Sequence, residues 1–220
     1  MATPIFAPNY TWYKSSVTRP NIISIAIVDS YTPTGSETES WDASASQDGS
    51  LMVYRTNSAL TIAGNGSGSI KMNSDSERMF TYSSAATQGF INITSITGLE
   101  ILDSSDVTSM KLMFNYCKKL TSINISSFIT DNVRDFTAMF QNCSALISVV
   151  GLENFNTSQA IALDGLFVNC SALKYFNIGV WDISKVETMT FMLSKCTSLE
   201  SIGDVSNWNT SCLRDIHAAF

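Results

Sequence analysis

Four cysteines recur at nearly even spacing: Cys117, Cys143, Cys170 and Cys196. Thiols in such a row invite comparison with a metal site. Zinc sites are built from close pairs such as C-x-x-C, and no such pair occurs in this chain. The spacing fits a ladder of buried thiols, one per unit, because cysteine packs as a small apolar group. Equivalent positions point the same way in successive units, so disulfide geometry is not expected and the thiols should be reduced. Cys212 lies off this row, in a turn, and is the expected exposed thiol.

The other chemistry-bearing residues are sparse. His217 is the single histidine, which leaves no set for a His-based metal site or a Ser–His or Cys–His relay; it reads as a surface residue. Asp42 and Asp48-Gly49 offer carboxylates to calcium, but an Asp-Gly step is more often simply a turn. The sequons Asn9-Tyr10-Thr11, Asn92-Ile93-Thr94 and Asn124-Ile125-Ser126 are expected in a chain this rich in Asn, Ser and Thr, and no glycosylation is read from them. No nucleophile–base pair, carboxylate pair or phosphate loop stands out. The chain therefore reads as non-enzymatic, with no cofactor and no metal.

Composition narrows the partners. Hydrophobic residues make up 45% and charged residues 15% of the 220 residues, a globular balance. The net charge is −6, divided equally between residues 1–100 and 101–220, so binding to nucleic acid or to an anionic membrane surface is not expected. No apolar run approaches the ~20 residues of a membrane helix, so no membrane insertion is expected. Met1–Pro8 has neither a basic start nor a long apolar stretch and does not read as a signal peptide. A cell-surface, extracellular or virion location then implies cytoplasmic synthesis with release by lysis, or a leader outside this sequence.

The elements that must carry these residues are repeats. All four prolines, Pro4, Pro8, Pro20 and Pro33, lie near the start of the chain, and the second half is periodic. One unit runs Val107, Met110, Met113-Phe114, Cys117, Leu120, Ile123, Ile125 and Phe128. The next runs Val133, Phe136, Met139-Phe140, Cys143, Leu146 and Val149. The third carries Ala160, Leu163, Leu166-Phe167, Cys170, Leu173, Phe176 and Ile178. The fourth carries Val186, Met189, Met192-Leu193, Cys196, Leu199 and Ile202, and a fifth begins at Leu213, Ile216 and Ala219-Phe220. The first positions, Val107, Val133, Ala160, Val186 and Leu213, thus advance by an almost constant step. The spacing at 107, 110, 114 and 117 predicts an amphipathic helix, N-capped at Ser105-Asp106. The Leu-x-x-Ile-x-Ile that follows predicts a short strand. Neither element can bury its apolar face alone, so the expected fold is α/β: a leucine-rich-repeat-like solenoid of 26–27-residue helix–strand units with an N-terminal mainly-β cap. Phe128, Phe155, Trp181 and Trp208 should form one aromatic spine. Phe114, Phe140, Phe167 and Leu193 should form a second column, closed by Phe220.

These units resemble the BspA-like leucine-rich repeats of bacterial surface proteins, whose signature looks like V-x-x-M-x-x-M-F-x-x-C-x-x-L, then an aromatic residue and a T-S-N-type turn, here Thr157-Ser158-Gln159 and Thr210-Ser211-Cys212. The resemblance covers about residues 98–220; Trp41–Ser44, Gly49–Tyr54 and Gly68–Asn73 also look like the lead-in to such repeats. It implies adhesion or protein contact at a surface, implies no catalytic residues, and extends to phage-encoded chains.

Residues 1–75 read as the β-rich cap, with strands at 10–18, 21–28, 51–55, 59–63 and 69–73, a loop over Tyr31–Gln47 and a hairpin turn at Asn65-Gly66-Ser67-Gly68. The repeat region, 76–220, divides into a degenerate first unit 76–106, units 107–132, 133–159, 160–185 and 186–212, and a partial unit 213–220. The outward positions of the strands, Ser122, Asn124, Ser148, Tyr175, Asn177 and Ser201, are the candidate binding face for a protein or glycan. Leu213, Ile216 and Phe220 are the candidate edge for docking a partner or a second copy. The expected function is a non-catalytic interaction or adhesion module at a cell surface; the alternative is a structural virion component of a phage, a capsid- or tail-attached decoration or fibre protein.

Overall fold

The apolar residues of each unit recur at steps of three, and both a helix and a train of tight turns can satisfy that spacing. The computed structural model, which describes residues 2–7, 12–13, 19–81 and 89–220, resolves the choice in favour of turns. Within the unit that begins at Val107, each turn closes on itself: Met113 N–H donates to Met110 O, Asn115 to Leu112, Cys117 to Phe114 and Leu120 to Cys117, at 3.1–3.2 Å. The intervening amides donate elsewhere. Met110, Leu112, Phe114 and Tyr116 N–H each reach a carbonyl of the next unit, those of Asp135, Thr137, Met139 and Gln141, at 2.9 Å. The pattern repeats down the chain, as in Phe140 N–H to Leu166 O at 3.0 Å and Phe167 N–H to Met192 O at 2.9 Å.

The expected α/β helix–strand solenoid is therefore corrected. Among the described residues the helical elements are 3-10 turns at Arg19–Asn21, Leu99–Ile101 and Leu152–Asn154, and the helical layer of a leucine-rich repeat is missing. Two facts explain this. Leu112 and Tyr116 adopt left-handed φ of 58° and 62°, as do Ala138, Asn142, Asn169, Phe191 and Lys195 in the following units, and a single such residue ends a right-handed helix. The stacking step is also too short. Phe80, Phe114, Phe140 and Phe167 stack face to face with centroids 5.2, 5.3 and 5.4 Å apart, close to the spacing of paired strands and about half the diameter of an α-helix. Ser105-Asp106 caps no helix; Ser105 N–H donates to Asp103 Oδ1 at 3.0 Å.

The residues chosen by the periodicity are nonetheless the buried ones. Val107, Met110, Met113, Phe114, Cys117, Leu120, Ile123, Ile125 and Phe128 all lie in the core, and so do their counterparts in the next two units. A line of single-residue parallel bridges joins the coils, from Asp75–Ser109 through Ser109–Asp135, Asp135–Ala162 and Ala162–Thr188 to Thr188–Asp215. Phe80, not Phe114, heads the phenylalanine column, and Phe220, 71% exposed, does not close it. In the other spine the Phe155 and Trp181 rings stack at 6.4 Å. Trp181 and Trp208 each donate an indole N–H to a carbonyl of the preceding coil, those of Leu152 and Ile178.

The N-terminal region is built on a five-stranded sheet. Its strands are β1 (Ser24–Val28), β2 (Glu39–Asp42), β3 (Met52–Thr56), β4 (Ala59–Ala63) and β6 (Ser95–Thr97), in the order β2-β3-β4-β1-β6. A short β5 (Ile70–Lys71) pairs with β7 (Leu102–Asp103) instead. Parallel pairing of β1 with β6 and of β5 with β7 carries the sheet into the repeats, and the buried residues form one continuous core. Two local expectations fail. Asn65–Gly68 joins β4 to β5 across different sheets, while the hairpin lies at Thr56–Ala59, where Asn57 takes the left-handed conformation. The 31–47 segment is not all loop: β2 pairs antiparallel with β3, and Trp41 Nε1–H donates to Trp12 O at 2.8 Å. The strand expected at 10–18 and the sequon at Asn9 fall mostly or wholly outside the described residues. The short strands of the repeats are β8 (Ser122–Asn124) and β9 (Ser148–Val150), paired in parallel.

Far-UV circular dichroism is therefore expected to lack the double minimum of a helical protein. Phe140 is fully buried between Phe114 and Phe167. Phe140→Ala is expected to cost about 3–5 kcal/mol in urea unfolding, whereas Val180→Ala, at a side chain 65% exposed, should stay within about 0.5 kcal/mol of the parent.

Candidate functional site

The strand face is set by alternation. In β8 and β9 the middle residues, Ile123 and Val149, point into the core. Ser122 and Asn124 are exposed, and so are Tyr175, Asn177 and Ser201; Ser148 is half-buried. The bridge Ser122–Ser148 and the bridge Tyr175–Ser201 keep these positions in register. The six residues thus share one face across four coils. Tyr175 is 60% exposed, and Ile147 and Val150, in the preceding coil, are each 49% exposed. Neither Ile147 nor Val150 belongs to the serine and asparagine pattern of the outward positions. Val150 was legible, since it occupies the column of Asn124 and Asn177 in the coil between them.

Several polar groups of this face serve the chain's own turns. Asn124 Oδ1 accepts from Ser126 N–H and Asn177 Oδ1 from Gly179 N–H, both at 3.0 Å. Ser201 Oγ accepts from Gly203 N–H at 3.2 Å. Gly203, at φ 85°, lies so close to Asn177 that a Cβ there would meet Asn177 Oδ1 at 2.1 Å. Asn124, Asn177 and Ser201 close turns, whereas Ser122, Ser148, Tyr175, Ile147 and Val150 have no such task.

The thiols form the expected row, with a polar role besides packing. Cys143, Cys170 and Cys196 Sγ–H point at Phe114 O, Phe140 O and Phe167 O of the preceding coil, at 3.1, 3.0 and 3.1 Å. Cys117 makes the same approach to Phe80 O at 4.0 Å. Phe114 O, Phe140 O and Phe167 O each already accept a backbone N–H within their own turn, from Cys117, Cys143 and Cys170, so each thiol adds a second donor to a carbonyl in use. Burial pushes the Cys143 and Cys170 thiols well above their ordinary range, and pushes Cys196, nearer the surface, up to about 11. Cys212 is exposed.

The remaining candidates divide cleanly. Asp42 Oδ1 accepts from Ser44 N–H and Oγ–H at 2.7 and 2.6 Å, its Oδ2 accepts from Gly49 N–H at 2.7 Å, and Asp48 Oδ1 accepts from Ser50 N–H at 3.0 Å. These carboxylates tie their own loop. No group of three or more His, Cys, Asp or Glu side chains arranged to hold a metal occurs among the described residues. His217 packs its ring edge-on against Phe191, centroids 5.1 Å apart. Leu213 is half-buried, while Ile216 and Phe220 are 56% and 71% exposed. A polar groove of about 620 Å³ at Asp106, Asp131 and Gln159 is crossed by bonds between coils, including Asn156 Nδ2 to Asp131 Oδ1 at 2.8 Å. Among the described residues no helix is long and apolar enough to cross a membrane.

Fold and face together define a repeat protein of stacked, turn-built coils with one mixed apolar and polar strand face. The family model described as "Mycoplasma protein of unknown function, DUF285" matches residues 90–151 and 147–220, more than half of the chain, and the chain belongs to that family. No curated protein and no solved structure matches it.

Thiol labelling follows from the burial order. In the native protein Cys212 should react at once with an aromatic disulfide, Cys196 slowly, and Cys117, Cys143 and Cys170 only on unfolding. Because folding raises the Cys196 pKa from 9.0 to about 11, its contribution is complete below pH 9 and is lost as pH rises through 11. Cys196→Ala should flatten the alkaline limb of the stability profile across that window, read from urea midpoints at successive pH values.

Proposed function

We propose that the protein is a non-catalytic interaction module that binds a protein or glycan through the strand face centred on Tyr175. The observation that carries this reading is the cluster of Tyr175, Ile147 and Val150, well exposed on adjacent coils and flanked by Ser122, Asn124 and Asn177. Clustered exposed apolar side chains with a polar surround mark contact surfaces, and tyrosine is favoured in them because it covers much area while keeping a polar tip. The rigid register of the coils presents the cluster without an ordering cost at binding. The resemblance of the units to BspA-like repeats of bacterial surface proteins supports a role at a surface.

The test is a screen of the whole chain, fluorescently labelled at Cys212, against a glycan array and a panel of immobilised extracellular proteins. Tyr175→Ser and Val150→Asp are expected to weaken the captured interaction about tenfold, the usual effect of truncating an interface anchor, with unchanged unfolding midpoints. Binding that survives both substitutions overturns the assignment of this face. Recovery of the native protein solely with DNA-containing particles on a density gradient overturns the surface role.

A further inference from the structure

A second feature lies on another side of the coils, and it does not rest on the strand-face reading. Each coil places one residue at the left-handed position that follows its inter-coil bridge. Down the stack these are Leu112, Ala138, Gly165 and Phe191, with φ of 58°, 57°, 57° and 54°. Glycine is not needed there, since leucine and phenylalanine adopt the same φ in neighbouring coils. The two small residues instead leave a notch of about 390 Å³, walled by Leu112 on one side and Phe191 on the other, with Val168 in its lining. Phe191 is 45% exposed.

A carboxylate opens into this notch, whose lining is mainly apolar but also includes Thr137, Gln141 and Thr190. Asp164 lines it, held from behind: its Oδ1 accepts from Thr188 Oγ1–H at 2.5 Å, from Thr190 N–H at 2.8 Å and from Thr190 Oγ1–H. In its own column Asp164 is flanked by Thr137 and Thr190, and the basic side chains of that column, Lys111 and His217, are two coils away on either side. Among the described residues no ion pair involves Asp164. A fixed carboxylate beside an aromatic face and an aliphatic wall suits one kind of occupant: a planar cation on an apolar stem. The methylenes would lie on Leu112 and Val168, the guanidinium would stack on Phe191, and its N–H groups would reach Asp164. The net charge of −6 favours the approach of a basic partner.

We propose that the Ala138–Gly165 notch is a recognition pocket for an arginine side chain presented by a protein partner. The probe is N-acetyl-L-arginine methylamide titrated into the whole chain, followed by NMR at the Gly165 amide and the Ala138 methyl, with the citrulline analogue as a neutral match in shape. Saturable shifts with the arginine probe are expected, and the citrulline analogue should bind about tenfold more weakly, the loss of one charge-assisted hydrogen bond. Asp164→Asn retains an Oδ1 for the threonines and should give the same loss. Ala138→Leu, which repeats the residue carried by the preceding coil, should block the notch while leaving the unfolding midpoint unchanged. Tyr175→Ser should leave the probe's affinity as it was, which separates this pocket from the strand face. Absence of saturable shifts at Gly165, equal binding of the citrulline analogue, or full binding to Ala138→Leu overturns the proposal.

Discussion

The stack rests on amides that donate across coils. Every second backbone N–H in the turn region leaves its own unit and finds a carbonyl in the next, and this brings equivalent residues to within about 5 Å of one another, the spacing of paired strands. Much else follows from that step. A side chain meets its own counterpart above and below, so like stacks on like, as Phe80, Phe114, Phe140 and Phe167 do with interplanar angles of 5°, 9° and 3°. A helix cannot occupy the same step. Left-handed residues become necessary because the chain must turn sharply between one inter-coil bond and the next.

The same constraint decides which polar groups remain available. Coils this thin bring backbone carbonyls and amides close to every side chain, so short polar residues are drawn into turn closure. Asn124, Asn177, Asp182 and Asp204 are all occupied in this way, and the cysteine thiols add donors to carbonyls inside the core. What remains for partners is set by departures from the repeat: a tyrosine where other coils carry serine, a valine where two carry asparagine, and an alanine and a glycine where the flanking coils carry leucine and phenylalanine. Function in such a fold is written in exceptions to the column.

Much of this was legible in the residues. The repeat step and the core positions of the units that begin at Val107, Val133 and Ala160 followed from the spacing of Val107, Met110, Phe114 and Cys117 and their copies, while Cys196, Leu199 and Ile202 near the end of the stack are only partly buried. The element type did not, because a step of three suits turns and helices equally; the missing clue lay in the conformation of Leu112, Ala138 and Phe191, residues with no known taste for left-handed backbone. Val150 was concealed by reading its strand for serine alone. The notch at Ala138 and Gly165 was invisible to a search for apolar stripes, since a gap contributes no residue to a stripe. The hairpin was misplaced because Gly66 and Gly68 are the more conspicuous turn residues, whereas Asn57 supplies the turn that closes β3 on β4.

A uniform step has an evolutionary corollary. Because each coil makes nearly the same contacts upward as it receives from below, unequal recombination that adds or drops one complete unit preserves both the phenylalanine column and the line of bridges from Asp75 to Asp215. A deletion inside the turns of a unit breaks the columns, whereas the connections between units absorb small length differences, since successive bridges are unequally spaced along the chain and still line up. Reach along the axis can therefore vary between descendants of one gene in discrete increments, while the lateral faces diversify by point substitution. Length and specificity are inherited through separate kinds of mutation.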